Sequence, residues 1–292
     1  MNLKVVAMGL ALGLVPSSGF AQSAQTSAVQ HCGTQMNACK TSLGEYSIRL
    51  PDGDGGVDNG RVPALLYFHG AGGSGPRAMR NEGMIEAFLA RGYAVIAPSG
   101  LKRPNSRFGP GWSFLPFREK QRDELSFARE VLGDAASRFG IDRARVMMGG
   151  FSIGGSLTWY LACEDPTIAR AFVPVGGAFW RPHPKSADCA GPLRMFHTHG
   201  WRDGTVPLEG RPLGGGRIYQ GDVFHGLELL REVNGCDGLR ADQFDTQGRY
   251  WQRWWSKCRP GTALRFALHP GGHSVPKGWA EMVINWFEEL EG

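Results

Sequence analysis

Blocks of like charge are missing from this sequence, and so are long apolar runs beyond its first residues. The basic residues, 25 Arg and 7 Lys against 27 acidic residues, are scattered with no run of five or more. Nucleic acids and membrane surfaces are usually bound through such cationic blocks, so we expect no nucleic acid as the main ligand. No later stretch approaches the ~18 consecutive apolar residues that a membrane span needs. The net charge of +5 is therefore typical of a solvated surface.

Cys-x-x-Cys pairs, a common sign of a zinc site, are also absent. His197-x-His199 has the spacing of half a metal site, but no third ligand of matching pattern lies near it. We expect neither a metal nor an organic cofactor. The six cysteines are an even number and favour disulfides in an oxidising compartment, with the connectivity left open by sequence. The simplest pairing is local: Cys32 with Cys39, Cys163 with Cys189, and Cys236 with Cys258.

The N-terminus has the pattern of a secretory signal peptide. Lys4 supplies a positive charge, Val5–Val15 is an apolar run, and Gly19 and Ala21 fit positions −3 and −1 of a cleavage site. An uncleaved anchor is the alternative. We expect residues 1–21 to be removed and residues 22–292 to form one exported domain, in the periplasm or the medium. The oligomeric state is left open.

The 43 glycines lie in separate clusters, which indicates many tight turns. Between them, short apolar runs alternate with amphipathic segments, and this alternation predicts an α/β fold, a mainly parallel central sheet flanked by helices. Strands are predicted at Ala64–Phe68, Tyr93–Ala97, Arg145–Met148, Ala171–Val175, Arg194–Thr198 and Leu264–Leu268. Helices are predicted around Met84–Leu89 and at Lys120–Phe139, Ser156–Ala162, Asp222–Val233 and Gly278–Leu290, with Asp123 as a cap of the second.

The sequence Gly150-Phe151-Ser152-Ile153-Gly154 carries the sharpest chemical signal. It follows a predicted strand and precedes a predicted helix, which is the context of a Gly-x-Ser-x-Gly nucleophile elbow. Such a turn is too tight for flanking side chains, so glycines stand on both sides. It holds the Ser152 hydroxyl at the positive end of the following helix. The sequence therefore predicts Ser152 as a nucleophile.

A serine nucleophile needs a base and a carboxylate that orients the base. Asp203 and His273 follow the fifth and sixth predicted strands, in the order Ser, Asp, His. Both loops lie beyond the carboxyl ends of strands, where open α/β sheets place their sites. The carboxylates that compete for the role of the acid are Glu209 and Asp222. The histidines that compete for the role of the base are His199 and His269, and both are better interpreted as structural residues at strand ends.

The loop His69-Gly70-Ala71-Gly72-Gly73 follows an early strand, and His-Gly loops of this kind present backbone N–H groups to a developing oxyanion. The predicted donors are the amides of Ala71 and Ile153. Substrate contacts are predicted for His69, Trp112 and Trp201. A further hypothesis is an aromatic platform on a hairpin with Trp251, Trp254 and Trp255, although core burial is the commoner fate of any single tryptophan.

Together the His-Gly-Ala-Gly-Gly loop, the Gly-Phe-Ser-Ile-Gly-Gly elbow, His-Gly-Trp-Arg-Asp-Gly-Thr-Val-Pro and Gly-Gly-His-Ser resemble the secreted polyhydroxybutyrate depolymerase and feruloyl esterase group of α/β-hydrolases. The likeness runs from about Gly44 to the C-terminus. It implies Ser152 as nucleophile, Asp203 as acid and His273 as base, and it supports the pairs 163–189 and 236–258. The chain departs from the group in the Trp-Arg before Asp203 and in a Gly-rich stretch near Arg211.

These features predict a secreted serine esterase of the polyhydroxybutyrate depolymerase type, with residues 22–292 as an α/β-hydrolase catalytic domain. Its substrate would be a hydroxyalkanoate oligomer or an aryl or acyl ester. A feruloyl or acetyl-xylan type esterase acting on plant polysaccharides is the alternative within the same chemistry. A peptidase on this fold and a secreted binding protein without catalysis are two further candidates.

Overall fold

The computed structural model describes residues 1, 32–34, 37–52, 61–104 and 109–290. The chain divides into Met1–His31 and Cys32–Gly292, and every described helix and strand lies in the second unit. The predicted signal peptide, residues 1–21, lies outside the described residues apart from Met1. Among the residues described, no helix has the length and apolar character needed to cross a membrane.

The described residues contain fifteen strands and six α-helices. The strands are β1 (Cys39–Lys40), β2 (Glu45–Arg49), β3 (Val62–Phe68), β4 (Ala94–Pro98), β5 (Leu101–Lys102), β6 (Pro110–Gly111), β7 (Ile141–Phe151), β8 (Ala171–Val175), β9 (Trp180–Arg181), β10 (Arg194–Gly200), β11 (Pro212–Leu213), β12 (Ile218–Gln220), β13 (Gln243–Gln247), β14 (Tyr250–Trp255) and β15 (Ala263–His269). The helices are α1 (Gly75–Ala78), α2 (Glu82–Leu89), α3 (Glu124–Phe139), α4 (Ile153–Glu164), α5 (Val223–Val233) and α6 (Trp279–Glu289).

Ten strands form one sheet in the order β1-β2-β4-β3-β7-β8-β10-β15-β14-β13. The six central strands, from β4 to β15, run parallel, and antiparallel strands close both edges. The predicted mainly parallel α/β fold is therefore confirmed. Two small sheets, β5-β6 and β11-β12-β9, lie in the connections.

Helices cover both faces of the sheet. Alternate residues of a strand point to opposite faces, so each central strand contributes side chains to both cores. In β3, Ala64, Leu66 and Phe68 join the core that contains the apolar faces of α3, α4 and α5. Leu65 and Tyr67 join the core that contains those of α2 and α6. Because the central strands are buried on both faces, their sequences are nearly continuous apolar runs.

The helix ends follow local rules where the sequence supplies a cap. Asp123 lies just before α3 and its carboxylate accepts the N–H of Ser126 at 2.7 Å, as expected of a cap. The same helix ends at Gly140, which adopts φ 67°. The three disulfides join Cys32 to Cys39, Cys163 to Cys189, and Cys236 to Cys258.

Candidate active site

Ser152 occupies a sharp turn between β7 and α4. Its backbone has φ 60° and ψ −122°, and it alone among the described non-glycine residues has a positive φ. Such strain persists only where the surroundings impose it. The Ser152 N–H donates to the Val175 carbonyl at the end of β8 (2.9 Å), and the Ser152 carbonyl accepts from the Ser156 N–H (2.9 Å). The turn thus holds the serine beyond the carboxyl end of the sheet.

The flanking glycines have no room for a side chain. A Cβ on Gly150 would lie 2.6 Å from the Gly154 backbone. A Cβ on Gly154 would lie 2.6 Å from the His69 carbonyl oxygen and closer still to that of Phe68. The clash that the sequence predicts for this turn is present, and the neighbours are backbone atoms that cannot rotate away.

Gly154→Ala is therefore expected to destabilise the protein by about 3 kcal/mol or more, because the strand β3 must move. Gly133→Ala is the matched control: Gly133 lies inside α3, a Cβ there would meet no atom within 4 Å, and alanine should stabilise by about 0.5–1 kcal/mol. Urea unfolding measures both. Equal stability of the two variants would contradict the tight turn.

Ser152, His273 and Asp203 form a hydrogen-bonded series. His273 Nε2 lies 2.8 Å from Ser152 Oγ, and His273 Nδ1 lies 2.7 Å from Asp203 Oδ2. The Asp203 side chain is 1% exposed and that of His273 is 17% exposed. An ionised Asp203 accepts a hydrogen bond from the Nδ1–H group, which leaves Nε2 free to accept the Ser152 hydroxyl proton. The arrangement can therefore deprotonate the serine.

The surroundings of Asp203 keep it ionised. Burial by itself would raise its pKa, but hydrogen bonds from His273 and from the Val206 and Thr205 N–H groups outweigh burial and lower the pKa below its ordinary value. Asp203 Oδ1 accepts the N–H of Thr205 at 2.9 Å and that of Val206 at 2.8 Å. The carboxylate is thus fixed on one oxygen and faces His273 with the other.

The loops that carry Asp203 and His273 are tied to each other by backbone groups. The Trp201 N–H donates to the His269 carbonyl (2.8 Å) and the Arg202 N–H to the Gly271 carbonyl (3.0 Å). Arg202 Nε also donates to the Pro270 carbonyl (2.8 Å). The unusual Trp-Arg before Asp203 thus joins the two loops. Trp201 is 58% exposed and is not among the residues that line the cavity described below, so its substrate contact stays a prediction.

The loop after β3 passes close to the nucleophile. A Cβ on Gly70 would come within 3.4 Å of Ser152 Cβ. Ala71 and Ile153 both line the same cavity as Ser152. Ile153 is the first residue of α4, so its N–H has no partner within the helix. The structure therefore brings the two predicted oxyanion donors to the serine, and their role stays a prediction.

His69 is not among the residues that line the cavity, and the substrate contact predicted for it stays a prediction. The ring is buried, with Nδ1 2.7 Å from the Gly70 carbonyl and Nε2 accepting the Gly100 N–H at 2.9 Å. Because Nε2 accepts an N–H group, the ring proton lies on Nδ1, and burial lowers the pKa of the ring, which favours this neutral form. His69 therefore positions the loop by joining it to the end of β4.

A cavity of about 500 Å³ opens at Ser152, within the size range of ligand sites. Its walls are mainly apolar and include Leu101, Trp112, Leu115 and Trp180. The indole N–H of Trp112 donates to the His69 carbonyl (2.9 Å), so this side chain presents only apolar surface to the cavity. The tryptophans of the β13–β14 hairpin, which are Trp251, Trp254 and Trp255, do not line this cavity.

A hydrogen-bonded series of buried rings supports the Asp203 loop, and the sequence pattern of His197 and His199 alone does not indicate it. The indole N–H of Trp159 can only donate a hydrogen bond, so His197 Nδ1, 3.4 Å away, is the acceptor. His197 Nε2 then donates to His199 Nδ1 (3.0 Å), and His199 Nε2 to the Val206 carbonyl (2.7 Å). This use of both rings agrees with the structural interpretation of His199 and leaves no lone pair of the two rings for a metal.

Burial favours the neutral form of both His197 and His199. Burial, reinforced by the neighbouring His199, holds the pKa of His197 well below its ordinary value, and burial also lowers that of His199. An unfolded histidine takes up a proton below about pH 6.5, whereas native His197 does not. The unfolded state then binds more protons, so the stability falls as the pH falls through this range.

We expect His197→Gln to flatten this pH dependence. Between pH 6.5 and 5.5 the wild-type free energy of unfolding should fall by about 1 kcal/mol more than that of the variant, since one titrating ring is removed. Urea unfolding at each pH measures the difference. Equal losses in the two proteins would contradict a neutral, buried His197.

The remaining candidates of the sequence analysis have other partners. Asp222 caps α5 and accepts the N–H groups of Phe224 (2.7 Å) and His225 (3.1 Å). Glu209 is exposed. His269 Nδ1 accepts the Gly271 N–H at 3.1 Å, within its own loop. None of the three contacts Ser152 or His273 through a described hydrogen bond.

Comparison with known proteins gives the same architecture. The sequence model of the phospholipase/carboxylesterase family matches residues 58–212. Feruloyl esterase D of Neurospora crassa is 23% identical over 275 residues, covering 89% of this chain and 82% of that protein. The solved acetyl xylan esterase of Aspergillus awamori superposes with a TM-score of 0.61 at 17% identity, covering 88% of this chain and 96% of that one.

Some relatives are longer than the region they share with this chain. NocK of Nocardia uniformis subsp. tsuyamanensis is 28% identical over 169 residues, which is 56% of this chain and 46% of that protein. The chain thus spans less than half the length of this curated relative. The structural likeness, at 17% identity, concerns the fold.

Proposed function

Because the chain belongs to the phospholipase/carboxylesterase family of α/β-hydrolases, we propose that it hydrolyses carboxylic esters through an acyl-enzyme on Ser152. The observation that supports this most is the pair of hydrogen bonds, 2.8 and 2.7 Å, that connects Ser152 through His273 to the buried Asp203. The series begins at Ser152, which lines a mainly apolar cavity that suits an organic acyl group.

In the acylation step, His273 Nε2 takes the Ser152 hydroxyl proton while Oγ forms a bond to the ester carbonyl carbon. The carbonyl oxygen becomes an oxyanion and accepts hydrogen bonds from the Ala71 and Ile153 amides. The bond to the alcohol oxygen then breaks, and His273 gives its proton to the departing alcohol. Asp203 holds the protonated imidazole in place throughout.

The deacylation step uses the same groups in reverse. Water gives a proton to His273 as its oxygen bonds to the acyl carbon. The bond from that carbon to Ser152 Oγ breaks, and the proton of His273 returns to Oγ. The products are the free carboxylic acid and the restored serine.

Among ester substrates, we propose feruloyl or acetyl esters of plant polysaccharides ahead of polyhydroxybutyrate. The matched relatives include a feruloyl esterase, and a fold neighbour is an acetyl xylan esterase. The apolar faces of Trp112 and Trp180 suit an aromatic acyl group. The three disulfides support export to an oxidising compartment.

A substrate panel tests the proposal. Purified protein is assayed on methyl ferulate, acetylated xylan, 4-nitrophenyl acetate, hydroxybutyrate trimer and a peptide anilide. We expect hydrolysis of the first three and no cleavage of the anilide. Turnover of the anilide alone would favour a peptidase, and turnover of the trimer alone would favour a polyhydroxybutyrate depolymerase. If no compound were turned over, a binding protein without catalysis would be favoured.

A further inference from the structure

Four arginines line the cavity at Ser152. They come from two separate parts of the chain: Arg103 directly follows β5 and Arg118 lies between β6 and α3, while Arg211 and Arg217 lie on either side of β11. Arg103 and Arg211 are half-buried, while the other two are exposed. Since the two parts are about a hundred residues apart, the sequence pattern alone gives no sign of this cluster.

Among the residues that the structure describes, no acidic side chain accompanies these arginines. The cavity lining, as far as the chain is described, contains no Asp or Glu. Within the same described residues, none of the four guanidinium groups lies within ion-pair distance of a carboxylate. Arginines in solvated surface networks commonly pair with acidic neighbours, so an unpaired group of four around one cavity points to an anion as the natural partner.

Three of the arginines are held in place by one hydrogen bond each. Arg103 Nη1 donates to the Glu119 carbonyl (3.1 Å), Arg211 Nε to Gln220 Oε1 (3.3 Å), and Arg217 Nε to the Gly214 carbonyl (2.9 Å). Each guanidinium keeps several N–H donors for a ligand. Holding a long side chain in this way reduces the entropy lost when it binds an oxyanion.

The rest of the cavity strengthens such binding. Its walls are mainly apolar, and charges interact more strongly beside apolar walls than in open water. The N-terminus of α4 at Ser152 adds the positive end of a helix dipole. The chain as a whole carries +5. All three contributions favour a negatively charged occupant.

We propose that the cavity binds esters that carry a free carboxylate, with Arg103, Arg118, Arg211 and Arg217 as the groups that recognise it. The proposal rests on ester hydrolysis at Ser152 and adds the substrate class. The carboxylate can belong to the acyl part or to the alcohol part of the ester. Guanidinium groups match it because two parallel N–H donors meet its two oxygens.

Two pairs of chromogenic or ultraviolet-absorbing esters test the proposal, each rate being divided by that of uncatalysed hydrolysis. The monoester 4-nitrophenyl suberate is compared with its methyl-capped diester for a carboxylate on the acyl side. For the alcohol side, 4-acetoxybenzoate is compared with its methyl ester. In at least one pair we expect kcat/KM about tenfold higher for the anion at low salt. The difference should shrink in 0.5 M NaCl because salt screens exposed charges.

Double variants then assign the two parts of the cluster. Arg103→Gln with Arg118→Gln, and Arg211→Gln with Arg217→Gln, should each lower the anion preference, and the larger loss identifies the part nearer the carboxylate. The control pair, Arg80→Gln with Arg240→Gln, replaces exposed arginines outside the cavity lining and should keep the preference.

The outcomes separate this proposal from the proposed function. Wild-type protein that hydrolyses the neutral esters with no anion preference, or with a preference that both cavity variants retain, would overturn the carboxylate proposal alone. If wild-type protein hydrolysed none of the four esters, ester hydrolysis itself would be overturned. Circular dichroism of each variant confirms that it is folded.

Discussion

Ser152→Ala is expected to lower kcat for 4-nitrophenyl acetate by about 10⁴-fold or more, because the acyl-enzyme can no longer form. Residual hydrolysis would come from binding and from the oxyanion donors alone. The loss of one small oxygen at a partly exposed turn should leave the fold intact. Initial rates with the purified variant measure the effect, with KM determined alongside.

Ser126→Ala is the matched control for this prediction. Ser126 is exposed on α3, far in sequence from the elbow, and the Asp123 cap uses its backbone N–H. The variant should keep the wild-type rate within about twofold, as surface substitutions usually do. If Ser152→Ala also kept its rate, Ser152 would not be the nucleophile.

Asp203→Asn is expected to lower kcat by about 10³–10⁴-fold near neutral pH. The asparagine oxygen can still accept the Thr205 and Val206 N–H groups, so the loop should keep its shape. Its amide nitrogen would then face His273 Nδ1 as a donor. That forces the histidine proton onto Nε2, where the ring can no longer accept from Ser152.

The competing carboxylates provide the controls. Asp222→Asn and Glu209→Gln should keep kcat within about twofold, since neither side chain contacts His273 through a described hydrogen bond. Asp222→Asn tests the cap of α5 and should change stability by at most about 1 kcal/mol. A large loss of rate in either control with little loss in Asp203→Asn would transfer the role of the acid to another residue.

The sequence predicted the central fold well because its strands are buried on both faces. All six central strands, β3, β4, β7, β8, β10 and β15, coincide with predicted apolar runs, with ends that differ by a few residues. The edge strands were harder. Strand β13 is exposed throughout, and β1 is only two residues long, so neither carries an apolar pattern.

The site was predictable where chemistry follows strand ends. Ser152, Asp203 and His273 each lie just past a central strand, and the parallel sheet brings those ends together. The hydrogen bonds by which Trp201 and His69 join loops could not be predicted, because the type of side chain does not reveal them. Neither residue is among those that line the cavity, and their substrate contacts stay predictions. Clusters formed by distant segments, such as the four arginines, depend on how the loops fold back.

Labelling by a fluorophosphonate, read by intact mass and peptide mapping, shows whether Ser152 is a nucleophile activated by His273. We expect one adduct per chain, located on Ser152, formed much more slowly in His273→Ala and absent in Ser152→Ala. An unlabelled wild-type protein, an adduct on another residue, or labelling at an undiminished rate without the imidazole would contradict it.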